Sequence, residues 1–445
     1  MPKLITLILS LFAAAAWAQE FSFQDAVQEM LGKNPRLAQT RMQSEASRNH
    51  LGEVKAAYWP QLDFVQSWEY SNNPVYAFAT LLNQQRFSAD DFSIDAFNHP
   101  NPLSDVSSHF QISWLIYDFG KRESRIDSAD SEYRISMLQQ ESTRLLLLQE
   151  LVRRYYAVSL AAQRLGVANE ALKSAESRLE QAKNRVSQGL VVRSDELAAE
   201  VFRAGRLQEK IEAENQQKLA MAALNEILGR QHEEILLTAD LKEQSFSQEL
   251  LSFWQEEMKQ KRPDMQIVVE ASHAAHSQVR ADNSNFLPAI HAWSNYEWHG
   301  ETVNYTGDNW GVGLELRWNL FRGFADREQL AAAKSLEQSS REKQRETENT
   351  LQLQLKQAYY HFQSAKEKLS VSSAMVAQAA ESKRIYADRY SSGMVSIQDS
   401  LQAETAYNES RLMHAQNLYE LYVAFAELLG AAGKGDEIEK IGVRS

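Results

Sequence analysis

The stretch NWGVGLELRWNLFRGF, residues 309–324, alternates without a break. Trp310, Val312, Leu314, Leu316, Trp318 and Leu320 fall on one side of an extended chain; Gly311, Gly313, Glu315, Arg317 and Asn319 fall on the other. A period of two marks a strand with one apolar and one polar face. Three further stretches share the pattern. QLDFVQSWEY (61–70) groups Leu62, Phe64, Trp68 and Tyr70, and HFQISWLIYDF (109–119) groups Phe110, Ile112, Trp114 and Ile116. AIHAWSNYEW (289–298) groups Ile290, Ala292, Tyr296 and Trp298 more weakly. Each is about ten residues long, the length a tilted strand needs to cross a bilayer core. Seven of the nine tryptophans, at 59, 68, 114, 293, 298, 310 and 318, lie on or beside these stretches, as aromatic girdles at a membrane interface would. A soluble four-stranded sheet packed on a helix would alternate in the same way, but would have no need of the clustered tryptophans.

The rest of the chain is charged and helix-forming, and it is written twice. Pro35 in KNPRL and Pro263 in KRPDM stand 228 residues apart, as do Pro60 in AYWPQL and Pro288 in NFLPAI. Beyond the strands the offset falls to about 204. It joins Gly120 to Gly323, Tyr156 in RRYYAV to Tyr360 in QAYYHF, and Gly189 to Gly393, with Gly229 matched to Gly430 at 201. The first copy therefore holds a longer loop, expected over residues 71–108 and on the outer side of a membrane, where barrel loops are longer. None of the eight prolines lies between 103 and 262 or after 288, which permits long helices near 121–187 and 325–391. Each would end at a glycine turn and be followed by a shorter helix. The expected division is residues 1–18, a first repeat at 19–230, a linking or equatorial segment at 231–260, a second repeat at 261–430, and a tail at 431–445.

The opening MPKLITLILSLFAAAAWAQE has a charged Lys3, an apolar run over residues 4–16 and an Ala16-Trp17-Ala18 cleavage pattern, so an export signal ending near residue 18 is expected. The chain contains no cysteine, which leaves no disulfide and no thiolate metal site. A net charge of −12 without a basic run argues against a nucleic-acid partner. No further stretch is apolar enough for a membrane-spanning helix. Four strands cannot close a barrel, and an open edge is not tolerated in lipid, so the barrel must be shared. A cyclic trimer would supply roughly 12 strands around a water-filled bore. Trp68, Trp114, Trp310, Leu314, Leu316 and Trp318 would then face lipid, and Glu315 and Arg317 the bore. The fold class expected is mainly α with a small β part: a trimeric barrel of four strands per chain continued by a long helical barrel.

In this order, the tandem repeat, the strand junctions after Pro60 and Pro288, the FG and RG strand-to-helix junctions, and the turns GLVVRSDELAAE and GMVSIQDSLQAE resemble the TolC-like outer-membrane factor family over nearly the whole chain. The resemblance implies a homotrimeric, passive exit tunnel in the outer membrane with a large periplasmic portion. It would work with a periplasmic adaptor and an inner-membrane transporter in efflux or type I secretion. It makes Gly189, Leu190, Val191, Gly393, Met394 and Val395 the periplasmic tips that dock an adaptor; their other reading is a local cap on the coiled coil. It also implies a periplasmic gate in which Tyr390 matches the family's tyrosine, Asp195 its aspartate partner and Asp399 one aspartate of a ring. Val395 and Gln402 depart from that pattern. Asp399 reads equally as a solvated helix carboxylate.

No catalytic constellation, cofactor loop or metal motif stands out. His273 and His276 in SHAAH share a helix face but lack a further ligand, so they read as a surface pair and not as zinc ligands. The competing function is a soluble periplasmic coiled-coil scaffold or adaptor.

Overall fold

The computed structural model describes residues 21–230, 238, 240–246 and 249–442; the expected export signal and most of residues 231–239 lie outside the described residues. The two copies have matching elements. In the first, α1 (Phe23–Lys33) and α2 (Pro35–Lys55) lead to β1 (Gln61–Ser71) and, after a loop with α3 (Pro74–Asn83) and α4 (Ile94–Asn98), to β2 (Leu103–Tyr117). Then come α5 (Lys121–Ser187) and α6 (Arg193–Ile227). In the second, α7 (Leu251–Lys261) and α8 (Pro263–Asn283) precede β3 (Ala289–Gly300), β4 (Gly307–Arg317), α9 (Ala325–Ser391) and α10 (Ile397–Ala431), and a short α11 (Gly435–Ile438) closes the chain. The paired helices have identical lengths: 11, 21, 67 and 35 residues in both copies. Among the described residues, no helix is long and apolar enough to cross a membrane.

Contacts divide the chain into two compact units. Of the described residues, one comprises those up to Arg41, those within 138–265 and those from Thr347 onward. Its core forms because α1 places Phe23, Ala26, Val27 and Met30 on one stripe, the i, i+3, i+4, i+7 pattern of a half-buried helix. The stripe packs with Tyr155, Tyr156, Leu224, Trp254, Met258, Leu355 and Phe425. Met30 and Met258 are repeat counterparts, and both are fully buried. A capping box, in which Ser22 and Asp25 exchange side-chain and backbone hydrogen bonds, starts α1. α7 begins at Leu251, within the stretch expected to link the copies; the linking residues that the structure describes there pack on this unit through a Ser159–Thr238 hydroxyl contact of 2.8 Å and a Tyr422 hydroxyl donating to the Lys242 carbonyl.

The repeat also corrects one landmark. Gly229 takes a positive φ of 73°, and an added Cβ there would fall 2.6 Å from the Lys33 carbonyl oxygen. The residue that repeats this geometry is Gly433, with φ of 78° and Lys261 backbone equally close. Gly430, the expected counterpart, lies inside α10 against the Gln149 side chain. Helix termination needs the left-handed glycine, so the structural offset is 204 throughout this region.

The other unit, Met42–Met137 with Gln266–Glu346, holds a four-stranded antiparallel sheet in the order β1-β2-β3-β4. β2 starts at Leu103, so the connection expected over 71–108 shortens to 72–102 and is partly helical rather than a plain loop. The opening residues of β2, LSDVSS, are mostly polar and are held extended by pairing with Gln66–Ser71. β4 stops at Arg317, leaving Trp318 and Leu320 beyond the ladder.

Candidate pore wall and docking turns

Pairing in the sheet puts residues of one parity on one face across all four strands. One face carries Leu62, Phe64, Trp68 and Tyr70, then Phe110, Ile112 and Trp114, then Ile290, Tyr296 and Trp298, then Trp310, Val312, Leu314 and Leu316. Phe64, Phe110, Tyr296 and Trp310 are successive cross-strand partners, so a row of aromatic side chains crosses the sheet. Trp310 is 73% exposed and Leu314 78% exposed, with no chain of its own to cover them. Trp68, Trp114, Leu316 and Trp318 are exposed as well. Two of these tryptophans are fixed by equivalent bonds. Trp114 Nε1 donates to the Tyr58 carbonyl at 2.9 Å, and Trp318 Nε1 donates to the Phe286 carbonyl at 3.0 Å, one in each repeat. An indole with its ring in an apolar phase and its N–H held to backbone suits an interface.

The opposite face is largely polar, with Val65 and Leu115 among its apolar exceptions. It carries Asp63, Ser67 and Glu69 on β1, Asp105, Ser107, His109, Gln111 and Ser113 on β2, His291, Asn295, Glu297 and His299 on β3, and Glu315 and Arg317 on β4. Glu315 and Arg317 pair at 2.6 Å. Trp293, grouped above with the girdle, also lies on this side. Its indole lies across Gly313, where a Cβ would come within 2.7 Å of the ring. Gly311 meets the same ring and the Asn295 Oδ1 at 2.5 Å. The two glycines therefore leave room for a tryptophan on the polar wall, a relation that a single strand's alternation cannot reveal. Among the described residues, no strand pairs with the outer edge of β1 or of β4.

In the other unit, both expected tip turns are Schellman closures. Gly189 N–H bonds the Val186 carbonyl at 2.9 Å and Leu190 N–H the Arg185 carbonyl at 3.0 Å; Gly393 and Met394 bond Tyr390 and Arg389 in the same way at 3.0 and 2.9 Å. The two glycines have φ of 69° and 71°, which a left-handed closing residue must adopt. Leu190 and Met394 are exposed at the turns, Val191 and Val395 half-buried. Behind them Tyr390, Ile397, Leu401, Ala182 and Ala199 form a small separate core.

The expected gate residues are not joined to one another. The Tyr390 hydroxyl is buried without a hydrogen-bond partner, so it does not hold Asp195. Tyr390 is held through its ring and backbone instead: the Arg185 guanidinium lies 4.9 Å from the ring centre and donates to the carbonyls of Tyr390 and Ser391. Asp399 is the third residue of a capping box, its Oδ2 accepting from the Ser396 hydroxyl at 2.6 Å. Ser396-x-x-Asp399 was the signal available for that role. Glu404, which the sequence did not single out, is fully buried between Arg178 and Lys383, each 3.8 Å away. His276 bonds Glu337 at 3.0 Å, and no group of three or more His, Asp or Glu among the described residues is placed to hold a metal.

Known structures share this architecture. A membrane protein from Pseudomonas aeruginosa superposes with a TM-score of 0.80 at 19% identity, covering 92% of this chain and 93% of that one. The CmeC outer membrane channel of Campylobacter jejuni gives 0.78 at 16% identity, covering 93% and 86%. Protein CyaE of Bordetella pertussis is 23% identical over 329 residues, 73% of this chain and 69% of that protein. The family model for outer membrane efflux proteins matches residues 26–230 and 254–434, and the chain accordingly belongs to that family, as an outer-membrane channel protein whose long helices form a large periplasmic portion.

Proposed function

We propose that three copies of this chain close one barrel of roughly 12 strands and act as the passive exit duct of a tripartite efflux or type I secretion system. The observation that carries this reading is the two-faced sheet with two unpaired edges. Hydrocarbon tolerates neither unpaired backbone groups nor a charged face, so neighbouring copies must supply the missing wall and the polar side must enclose water. In this reading Trp68, Trp114, Trp310, Leu314, Leu316 and Trp318 contact outer-membrane lipid. Gly189, Leu190, Val191, Gly393, Met394 and Val395 present an apolar tip to a periplasmic adaptor, which connects to an inner-membrane transporter. Tyr390, Asp195 and Asp399 serve as periplasmic gate residues only where the turns of neighbouring copies meet, because within one chain they are not linked. Passage is downhill through the duct, with energy supplied by the transporter, and no cofactor is involved.

Planar-bilayer recording on the detergent-purified protein, together with cross-linked pull-down from its native membrane, tests this. Discrete conductance steps and recovery of an adaptor with a transporter are expected. Release of the chain with the soluble periplasmic contents, without detergent, would refute the duct and favour a scaffold.

A further inference from the structure

The connection between β1 and β2 is a folded body, not a slack loop. Phe78, Phe87, Phe92 and Phe97 close a cycle of ring contacts, with centroid distances of 5.2, 6.1, 5.5 and 5.2 Å around it. Asn73 caps α3 with Pro74 at its first position, and Ser93 caps α4. A hydrophobic centre and two capped helices fix the shape of this connection.

Its position is set by the end of α3, with Gln84 at the centre of the contacts. Gln84, at the end of α3, is fully buried, and its Nε2 donates to the Asp105 carboxylate and to the Ser104 carbonyl, both at 2.9 Å. The Gln84 carbonyl accepts from the Thr306 hydroxyl at 2.6 Å, and Arg86 pairs with Glu301 at 2.5 Å, both in the turn between β3 and β4. Asp105 is also met by His299 at 2.9 Å. Asp105, His299 and Gly307 all have the parity of the polar face. A Cβ on Gly307 would fall 2.1 Å from the Asn83 carbonyl oxygen, so α3 ends directly on that face. The connection thus bends from the β1–β2 edge across β3 and β4 on the polar side.

We infer that residues 74–98 form a lid, pinned through Gln84 to the polar side of the sheet, that narrows the outer mouth of the duct and limits the size of solute that can enter it from outside. The inference rests on the polar face lining the bore. Its partner surface is this chain's own barrel wall. The second hairpin, with only residues 301–306 between its strands, has no equivalent body, so one lid per copy leans over the opening.

The test uses the absence of native cysteine. Gln111→Cys, on the polar face of β2 and exposed, is labelled in intact cells with a small impermeant maleimide or with a polymer-linked maleimide of several kilodaltons. The small reagent is expected to label it, and the bulky one to label it only after residues 72–102 are exchanged for the short turn 301–306. Should that exchange fail to assemble, Gln84→Ala removes both side-chain bonds of the pin and is expected to speed bulky labelling at least about tenfold, the factor expected on losing the bond to the Asp105 carboxylate alone. Equal bulky labelling with the lid intact would overturn the inference. Failure of the small reagent as well would show that the polar face lines no bore, and would overturn the duct along with the lid.

Discussion

Leu314→Arg probes the membrane face most sharply. Trp310 and Trp318 stand four residues to either side of Leu314. In the proposed barrel, at about 3.4 Å per residue and a strand tilt near 40°, each tryptophan would lie ~10 Å from Leu314 along the membrane normal, with Leu314 near mid-bilayer. An arginine on the lipid side at that depth costs about 2–4 kcal/mol per copy, and so roughly 6–12 kcal/mol for a barrel of three. Its counterpart is Ser113→Arg on the opposite face of β2, one strand row away through Trp293 and Gly313. There the side chain would enter water, and the cost should stay within about 1 kcal/mol. Urea unfolding of both variants in lipid vesicles, with assembled particle measured on unheated gels, reads the difference. A large loss for Leu314→Arg with little change for Ser113→Arg is expected. Equal losses, or a larger loss for Ser113→Arg, would show that the faces have been assigned wrongly.

Three further outcomes follow from particular contacts. Gly313→Ala should destabilise the sheet by about 1–3 kcal/mol because its methyl meets the Trp293 ring, and adding Trp293→Ala should restore part of that loss, measured as a double-mutant cycle. Gly393→Val forces a branched side chain into a left-handed turn at a cost of about 1–2 kcal/mol; adaptor recovery should fall while the particle remains assembled, and unchanged recovery would remove the docking role of this turn. Glu29 joins α1 to Arg230 at 2.7 Å, and the hydrogen bond from that guanidinium, reinforced by Lys33, holds its carboxyl below the usual range. A depressed carboxylate contributes stability above its unfolded pKa and loses it as pH falls through the lower folded value. Glu29→Gln should therefore weaken the protein at neutral pH and flatten its acid limb, read by thermal unfolding between pH 3 and pH 7, the window set by the ordinary glutamate value of about 4.3 and the downward shift.

The long-range plan was legible wherever a local period or a repeated landmark carried it. The bounds of α5 and α9 followed from the absence of proline and the glycine turns, and the apolar parity of β1 and β4 followed from alternation. What depended on contacts across the sheet was not legible. Alternation already sets Trp293 opposite Ile290, Ala292, Tyr296 and Trp298, but only the cross-strand register shows that Gly311 and Gly313 leave room for its ring on the polar side. Likewise, Gly430 and Gly433 lie three residues apart, and only the backbone of Lys261 distinguishes the helix terminator. At the tip, Tyr390 and Asp195 invited a link by resemblance, whereas within one chain the Tyr390 hydroxyl is buried without a partner, its ring lies under Arg185, and Asp399 serves as a cap.

The most direct measurement is a disulfide scan between the two free edges of the sheet, with single cysteines placed along β1 and β4 of the cysteine-free chain. Within one copy these edges are three strand spacings apart, about 14 Å, too far for a disulfide. Oxidation in native membranes should give a ladder of one, two and three linked chains that stops at three. A chain that stays unlinked at every register, or a ladder that runs on past three, would contradict a barrel closed by three copies.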